Sequence, residues 1–313
     1  MNLFKKTAGA LAVLVLAAGP ALAATVEVDR TLEVYTPVSG VSGNLNSIGS
    51  DTLNNLMTMW AEKFKEFYPN VNIQIEGKGS STAPPALIEG TAQLGPMSRE
   101  MKPTEIDAFE KKYGYRPVQF RVALDALAVF VHKDNPVESL AMKQVDSIFS
   151  STRKRGGAAA NSWGDVGVSA LGSQALSIYG RNSASGTYGF FKEFALKNGD
   201  YKSSVKEQPG SSAVVQGIAS DAAGIGYSGI GYLTSGVKAV PLSGDDGVAY
   251  EANYENVLSG SYPLSRFLYI YVNKKPGQPF DKLTAEFLRL ILSQQGQEIV
   301  IKDGYFPLPN SLS

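Results

Sequence analysis

The chain has 313 residues, with 29 Lys+Arg against 29 Asp+Glu, one histidine and no cysteine. That length suits about two domains, and 43% apolar residues with 10% aromatics mark a folded chain rather than a disordered one. The missing cysteines exclude disulfides, thiol chemistry, iron–sulfur clusters and a lipid-modified N-terminal Cys. His132 by itself argues against a histidine metal cage, and the neutral balance argues against a nucleic-acid surface.

In chain order, Lys5 and Lys6 precede an apolar run over residues 8–18, and Ala21-Leu22-Ala23 follows. This pattern predicts a secretory signal peptide cleaved between Ala23 and Ala24. The run falls short of the ~20 residues a membrane span needs, and no later stretch is long enough. The mature chain is expected to be exported and free in a periplasm. After a Gly/Ser-rich lead-in over residues 39–50, Leu53, Leu56, Met57, Trp60, Phe64 and Phe67 recur at helical spacing until Pro69-Asn70. Val71, Ile73 and Ile75 alternate as in a strand. Residues 77–82 read as a loop, and Pro84-Pro85 suit the first turn of a helix ending by Gly90. Thr104 with Asp107 has the spacing of a capping box for a helix running to Tyr113.

Residues 122–131 are nearly continuously apolar, which predicts a buried parallel strand. Further on, residues 176–179 read as a strand and 180–187 as a loop. Residues 188–196 carry Phe190, Phe191 and Phe194 on a predicted helix. Val214, Val215 and Ile218 mark another helix, with strands at 224–227 and 268–272 and a helix at 281–292. The alternation implies an α/β class with parallel or mixed sheets flanked by helices.

One device occurs three times. Gly49-Ser50-Asp51-Thr52, Gly79-Ser80-Ser81-Thr82 and Ser185-Gly186-Thr187 each lead into a helix with small, hydroxyl-bearing residues. Helix N-termini carry unpaired N–H donors and partial positive charge, which suit an anion. Glycine admits the ligand to the backbone, and Ser or Thr adds a donor. Ser and Thr are also the ordinary N-caps of any helix, so the capping and anion readings both stand. Arg181 offers a planar fork for an oxyanion, and an ordinary salt bridge would use it equally well.

Other chemistries find little support. None of these loops has the lysine of a P-loop, and Gly226-Tyr227-Ser228-Gly229-Ile230 fails the nucleophile-elbow pattern at its last position. His132 sits in a His-Lys-Asp-Asn-Pro turn and reads as structural or solvated. Asp245-Asp246 reads as a charged turn, Tyr269 and Tyr271 as sheet residues, and Arg153-Lys154-Arg155 as a solvated loop.

Taken together, these segments resemble the periplasmic phosphate-binding proteins of the ABC phosphate transporter, the PstS family, and most of all those of Pseudomonas-like bacteria. The resemblance spans essentially the whole mature chain. It rests on Gly49-Ser50-Asp51-Thr52-Leu53, on Gly79-Ser80-Ser81 with Gly95-Pro96-Met97-Ser98-Arg99-Glu100, and on Arg181-x-x-x-Ser185-Gly186-Thr187. Gly224-Ile225-Gly226-Tyr227 and Tyr262-Pro263-Leu264-Ser265-Arg266 complete it. The resemblance implies a two-lobed Venus-flytrap binding protein of type II with two hinge crossovers. Lobe 1 would be residues 24–123 and 233–313, and lobe 2 residues 124–232. It also implies a phosphate site made by Ser50, Asp51, Thr52, Ser80, Ser98, Arg181, Ser185, Gly186 and Thr187, with no cofactor, no metal and no catalysis. The implied partners are the permease and ATPase subunits of a phosphate importer, with the protein itself monomeric and no nucleic acid involved.

Many members of the family carry an Asp where this chain has Ser98, and that Asp accepts the proton of hydrogen phosphate. Two roles for Asp51 follow. It replaces the missing acceptor and so excludes sulfate, or it pairs with Arg181 and orients it. The alternatives to phosphate are another tetrahedral oxyanion, or a secreted phosphatase on the same scaffold.

Overall fold

A computed structural model describes residues 26–312. The predicted signal peptide lies outside the described residues. Strand β1 (Gly43–Ile48) runs parallel to β2 (Val71–Glu76), and helix α1 (Asn54–Phe67) crosses between them. Leu56, Met57, Trp60 and Phe64 form one fully buried stripe of α1. Trp60 places its only polar atom, the indole N–H, on the Gly296 carbonyl at 2.9 Å. Strand β1 lies inside the Gly/Ser-rich lead-in, where the sequence predicts no strand. Its polar residues and flanking glycines concealed the alternation, and pairing with β2 makes the strand.

A 3₁₀ turn (Ser80–Thr82) leads into α2 (Ala83–Glu89), which ends on Gly90 at φ 75°. After β3 (Gly95–Met97) comes α3 (Pro103–Tyr113), and here the predicted capping box is displaced. Pro103 occupies the first helical position, so Lys102 is the N-cap, and Glu105 rather than Asp107 accepts from its backbone N–H at 2.8 Å.

Strand β4 (Val118–His132) corrects a second expectation. It is buried, yet antiparallel to each strand it pairs with. An apolar run reports that both faces are covered, and it carries no information about strand direction. Then follow β5 (Leu140–Ala141), α4 (Met142–Phe149), β6 (Ser177–Arg181) and α5 (Gly186–Phe190). Helix α5 continues as a π-helical turn (Phe191–Ala195), which leaves Phe194 exposed while Phe191 stacks on Tyr227 with ring centroids 4.0 Å apart. Arg153-Lys154-Arg155 is not simply solvated. Arg155 donates to the carbonyls of Ala195 (2.7 Å) and Phe194 (2.6 Å), and Lys154 to that of Asn198 (2.9 Å). Those carbonyls are the orphans that any helix end leaves.

The chain continues through β7 (Lys206–Gln208), α6 (Ser211–Ala219), β8 (Gly224–Gly229), β9 (Val237–Ala239), β10 (Leu242–Ser243) and β11 (Ala249–Tyr250). It ends with α7 (Tyr254–Leu258), β12 (Ser265–Val272), α8 (Lys282–Leu292) and α9 (Gln294–Lys302). The main sheet has the order β3-β12-β4-β8-β6-β7, with β9 also on β4. Only β6 pairs in parallel within it, with β7 and β8, so the sheet is mixed and flanked by helices. Strand β4 changes partner along its length. Residues 118–126 pair with β12 and residues 127–131 with β8. One strand thereby joins the β3-β12 side of the sheet to its β8-β6-β7 side.

His132 closes β4, and its Nδ1 accepts from the Asp134 N–H at 3.2 Å, a local structural bond. Among the described residues no helix is long and apolar enough to cross a membrane.

Candidate functional site

Each predicted loop ends where a strand hands over to a helix, and the fold brings these ends together. Ser50, Thr52, Ser80, Ser98, Arg181, Ser185 and Thr187 are all buried, although every one is polar. The Thr52 and Thr187 hydroxyls lie 2.9 Å apart. Ser98 Oγ is 3.3 Å from Ser80 Oγ and 3.5 Å from Thr187 Oγ1, and the Ser98 N–H donates to Ser80 Oγ at 3.0 Å. Residues from the β1–α1, β2–α2, β3–α3 and β6–α5 connections thus form one hydroxyl cluster.

One of the hydroxyls also caps. Ser185 Oγ, at the N-cap of α5, accepts from the Tyr188 N–H at 3.3 Å, and Ser50 Oγ accepts from the Thr52 N–H at 3.2 Å in the turn before α1. A capping hydroxyl accepts through oxygen and keeps its own hydrogen to donate. The capping and anion readings of these loops are therefore compatible.

Close approach between these loops needs glycine at two places. Gly79 has φ 119°, and a Cβ there would lie 2.5 Å from the Ala184 carbonyl; the Ser81 N–H donates to that same carbonyl at 3.1 Å. A Cβ on Gly186 would lie 2.2 Å from Ser80 Oγ and 2.6 Å from Ser98 Oγ. No real side chain sits so close, so the first residue of α5 must be glycine for these loops to meet.

Arg181 ends β6 with its side chain 1% exposed. Nη1 lies 3.1 Å from Asp51 Oδ2 and donates to Ser211 Oγ at 2.7 Å, and Nη2 donates to the Pro209 carbonyl at 3.2 Å. Nε is buried and has no partner. Burial lowers the guanidinium pKa, and the Asp51 carboxylate opposes that shift. Asp51 Oδ2 also accepts from the Ser211 N–H at 2.8 Å, and its carbonyl accepts from Tyr232 at 2.9 Å. The Asp51 carboxylate is therefore engaged with Arg181 and with the start of α6. A cavity of about 480 Å³ opens beside it, lined by Asn54, Gln216, Tyr232 and Asp303. Of the nine predicted site residues only Asp51 reaches that cavity.

Residues 35–295 match the PBP superfamily domain. The phosphate-binding protein PstS of Pseudomonas aeruginosa is 59% identical over 292 residues, spanning 92% of this chain and 90% of that protein. The chain belongs to the PstS family of phosphate-binding proteins. A protein described as a phosphate ABC transporter substrate-binding protein of Clostridium perfringens, solved with bound phosphate, superposes on this PstS-family chain with a TM-score of 0.71. It is 27% identical, and the match covers 85% of this chain and 100% of that one. An ABC-type phosphate transport receptor of Vibrio cholerae shares the fold, with a TM-score of 0.66 at 21% identity over 84% of this chain and 100% of its own.

The site residues implied by the PstS resemblance did not include Ser211, Pro209, Tyr232 or Arg266. For Ser211 a signal was present. Gly210-Ser211-Ser212 opens α6 with the same small, hydroxyl-bearing residues as the other three loops. Arg266 closed the Tyr262-Pro263-Leu264-Ser265-Arg266 segment of the resemblance but had no role attached to it, and Pro209 and Tyr232 offered no signal, because each acts through a partner distant in sequence.

Asp303 adds a pH term to this region. Its Oδ1 accepts from Asn55, Oδ2 is buried without a partner, and burial raises its pKa from 3.8 to about 6 despite the Asn55 bond. A carboxyl that ionises with more difficulty in the folded state binds its proton there more tightly than in the unfolded chain. The contribution of Asp303 to stability is then full below about pH 4 and is lost as pH rises to about 6. Asp303→Asn is expected to raise the melting temperature at pH 7 by roughly 2 °C or more and to leave it unchanged at pH 4. Paired thermal melts at the two pH values check this.

Proposed function

We propose that this chain binds inorganic phosphate in the periplasm and delivers it to the permease and ATPase subunits of an ABC phosphate importer. The observation that carries the reading is the buried Arg181. Its Nε–H lacks a partner, it stands four residues before Ser185, and it is paired with Asp51, the neighbour of Thr52. An unsatisfied buried donor costs about 1–3 kcal/mol, and a tetrahedral oxyanion among these hydroxyls would remove that cost. All nine residues named by the sequence belong to the proposed site. Eight of them bind the anion through hydroxyls, backbone N–H groups and the guanidinium, and Asp51 orients Arg181. The pair with Asp51 balances the charge of Arg181, so binding rests on hydrogen bonds with little net positive charge, as the neutral composition suggests.

The lobe division at residues 123/124 and 232/233 is part of the proposal. It is supported by the change of partner along β4 after Ala126 and by the hydrogen bond that links the next crossover, at Ile230, to Asp125 of β4. The relatives are named for phosphate binding and transport, which favours a receptor over a phosphatase. Incubation with a phosphomonoester is expected to release no phosphate.

Calorimetric titration of the anion-stripped protein is the direct test. One-to-one binding of phosphate with no heat from sulfate is expected, and binding of sulfate, or of neither, overturns the reading. The engagement of Asp51 with Arg181 and Ser211 yields a further expectation. Asp51→Asn should weaken phosphate binding about 10- to 100-fold, as expected for loss of a charge-assisted contact of about 1.5–3 kcal/mol, without admitting sulfate. A gain of sulfate binding in this variant would instead assign Asp51 the proton-acceptor role.

A further inference from the structure

A second arginine lies just behind the hydroxyl cluster. Arg266 is on β12, directly opposite Asp125 of β4 in the sheet register. The side chains of this pair are 1% and 0% exposed. Arg266 Nε donates to Asp125 Oδ2 at 2.8 Å, and Nη2 lies 2.7 Å from the same oxygen. The other carboxylate oxygen accepts from the Ile230 N–H at 3.0 Å, where the chain turns out of β8. Asp125 therefore ties both crossover segments to Arg266.

On its other side Arg266 reaches the site. Nη1 donates to the Ser98 carbonyl at 3.0 Å, and Ser98 touches Ser80 and Thr187 through its own N–H and hydroxyl. The guanidinium also sits 5.5 Å from the ring centroid of Phe190, on the helix that bears Gly186 and Thr187. One side chain thus contacts the hinge strand, a loop on one side of the cleft and the helix on the other.

We infer that Arg266 is a positioning residue for the anion site, holding Ser98 in place and meeting Phe190 when the cleft is closed, so that hinge and ligand loops move as one. A neutral side chain would pack in this sheet without such reach. Lysine would keep the charge but not the fork that serves Asp125 and Ser98 together. This inference rests on the phosphate-binding reading above.

The test compares phosphate titration with the melting temperature of the anion-free protein. Removing one charge alone would strand its partner in the core, whereas replacing a whole buried pair is often neutral for stability. The double variant Arg266→Met with Asp125→Asn removes both charges and keeps an acceptor for the Ile230 N–H. It is expected to melt within a few degrees of the parent and to bind phosphate at least tenfold more weakly. Arg266→Lys should recover only part of that loss. Phe190→Leu, which leaves the ion pair intact, is expected to raise the phosphate dissociation rate severalfold with no change in the anion-free melting temperature. Parent-like affinity in the double variant, or a Phe190→Leu protein altered in stability and not in binding, would overturn the role of Arg266. A parent protein silent toward phosphate would sink the proposed function and this inference with it.

Discussion

Replacing Arg181 with methionine is expected to weaken phosphate binding by roughly 10²- to 10³-fold, the effect of truncating one member of a buried, hydrogen-bonded charge pair at about 2–5 kcal/mol. Three groups hold the guanidinium from one side, namely Asp51, Ser211 and the Pro209 carbonyl, and Nε is left without a partner. The arginine is therefore oriented before any anion arrives, and little ordering entropy is left to oppose binding. Arg181→Lys tests the geometry apart from the charge. A lysine ammonium cannot keep the Asp51, Ser211 and Pro209 contacts and also face an anion, so most of the loss should remain. Titration calorimetry of both variants decides the matter. Binding within threefold of the parent in either variant would remove Arg181 from the site.

Gly186→Ala is expected to have a comparable effect through sterics alone. The added methyl group would lie 2.2 Å from Ser80 Oγ, 2.6 Å from Ser98 Oγ and 2.8 Å from Ser80 Cβ. Both serines belong to other loops than the one that opens α5, and under the proposed lobe division those loops lie across the cleft, so that the clash arises only when the cleft is shut. Alanine at the first position of a helix is otherwise harmless. The variant should fold and melt like the parent without anion, bind phosphate about 100-fold more weakly or worse, and stay more open in X-ray scattering after phosphate is added. A variant that closes and binds normally would mean that Gly186 has room the structure does not show.

These two expectations depend on sequence in different ways. Arg181, Ser185, Gly186 and Thr187 stand within seven residues of one another. Their spacing already placed a fork, hydroxyls and a helix start in one connection. Leu56, Met57, Trp60 and Phe64 likewise announced the buried face of α1, because a helix repeats every 3.6 residues whatever it packs against. The period of an element and the residues at its ends are local properties, and local properties are legible. The Thr104–Asp107 capping box was the local exception, since Pro103 at the first helical position moved the start back two residues, to Lys102 as N-cap.

The rest was decided by chain segments far apart in sequence. The apolar run of β4 could not reveal that its neighbours run antiparallel, nor that it changes partner after Ala126. The partners of Asp51 lie 130 residues or more away, and Arg266 meets Asp125 across 141 residues. The periodicity and the helix-opening loops by themselves pointed to an α/β protein with hydroxyl-rich, anion-compatible connections. Only the tertiary structure decided that four of those connections share one buried cluster, that Asp51 is engaged with Arg181, and that a second ion pair stands behind Ser98. The physical reason is that a buried charge takes its meaning from its partner, and in this fold the partners come from segments 130 or more residues apart in the chain.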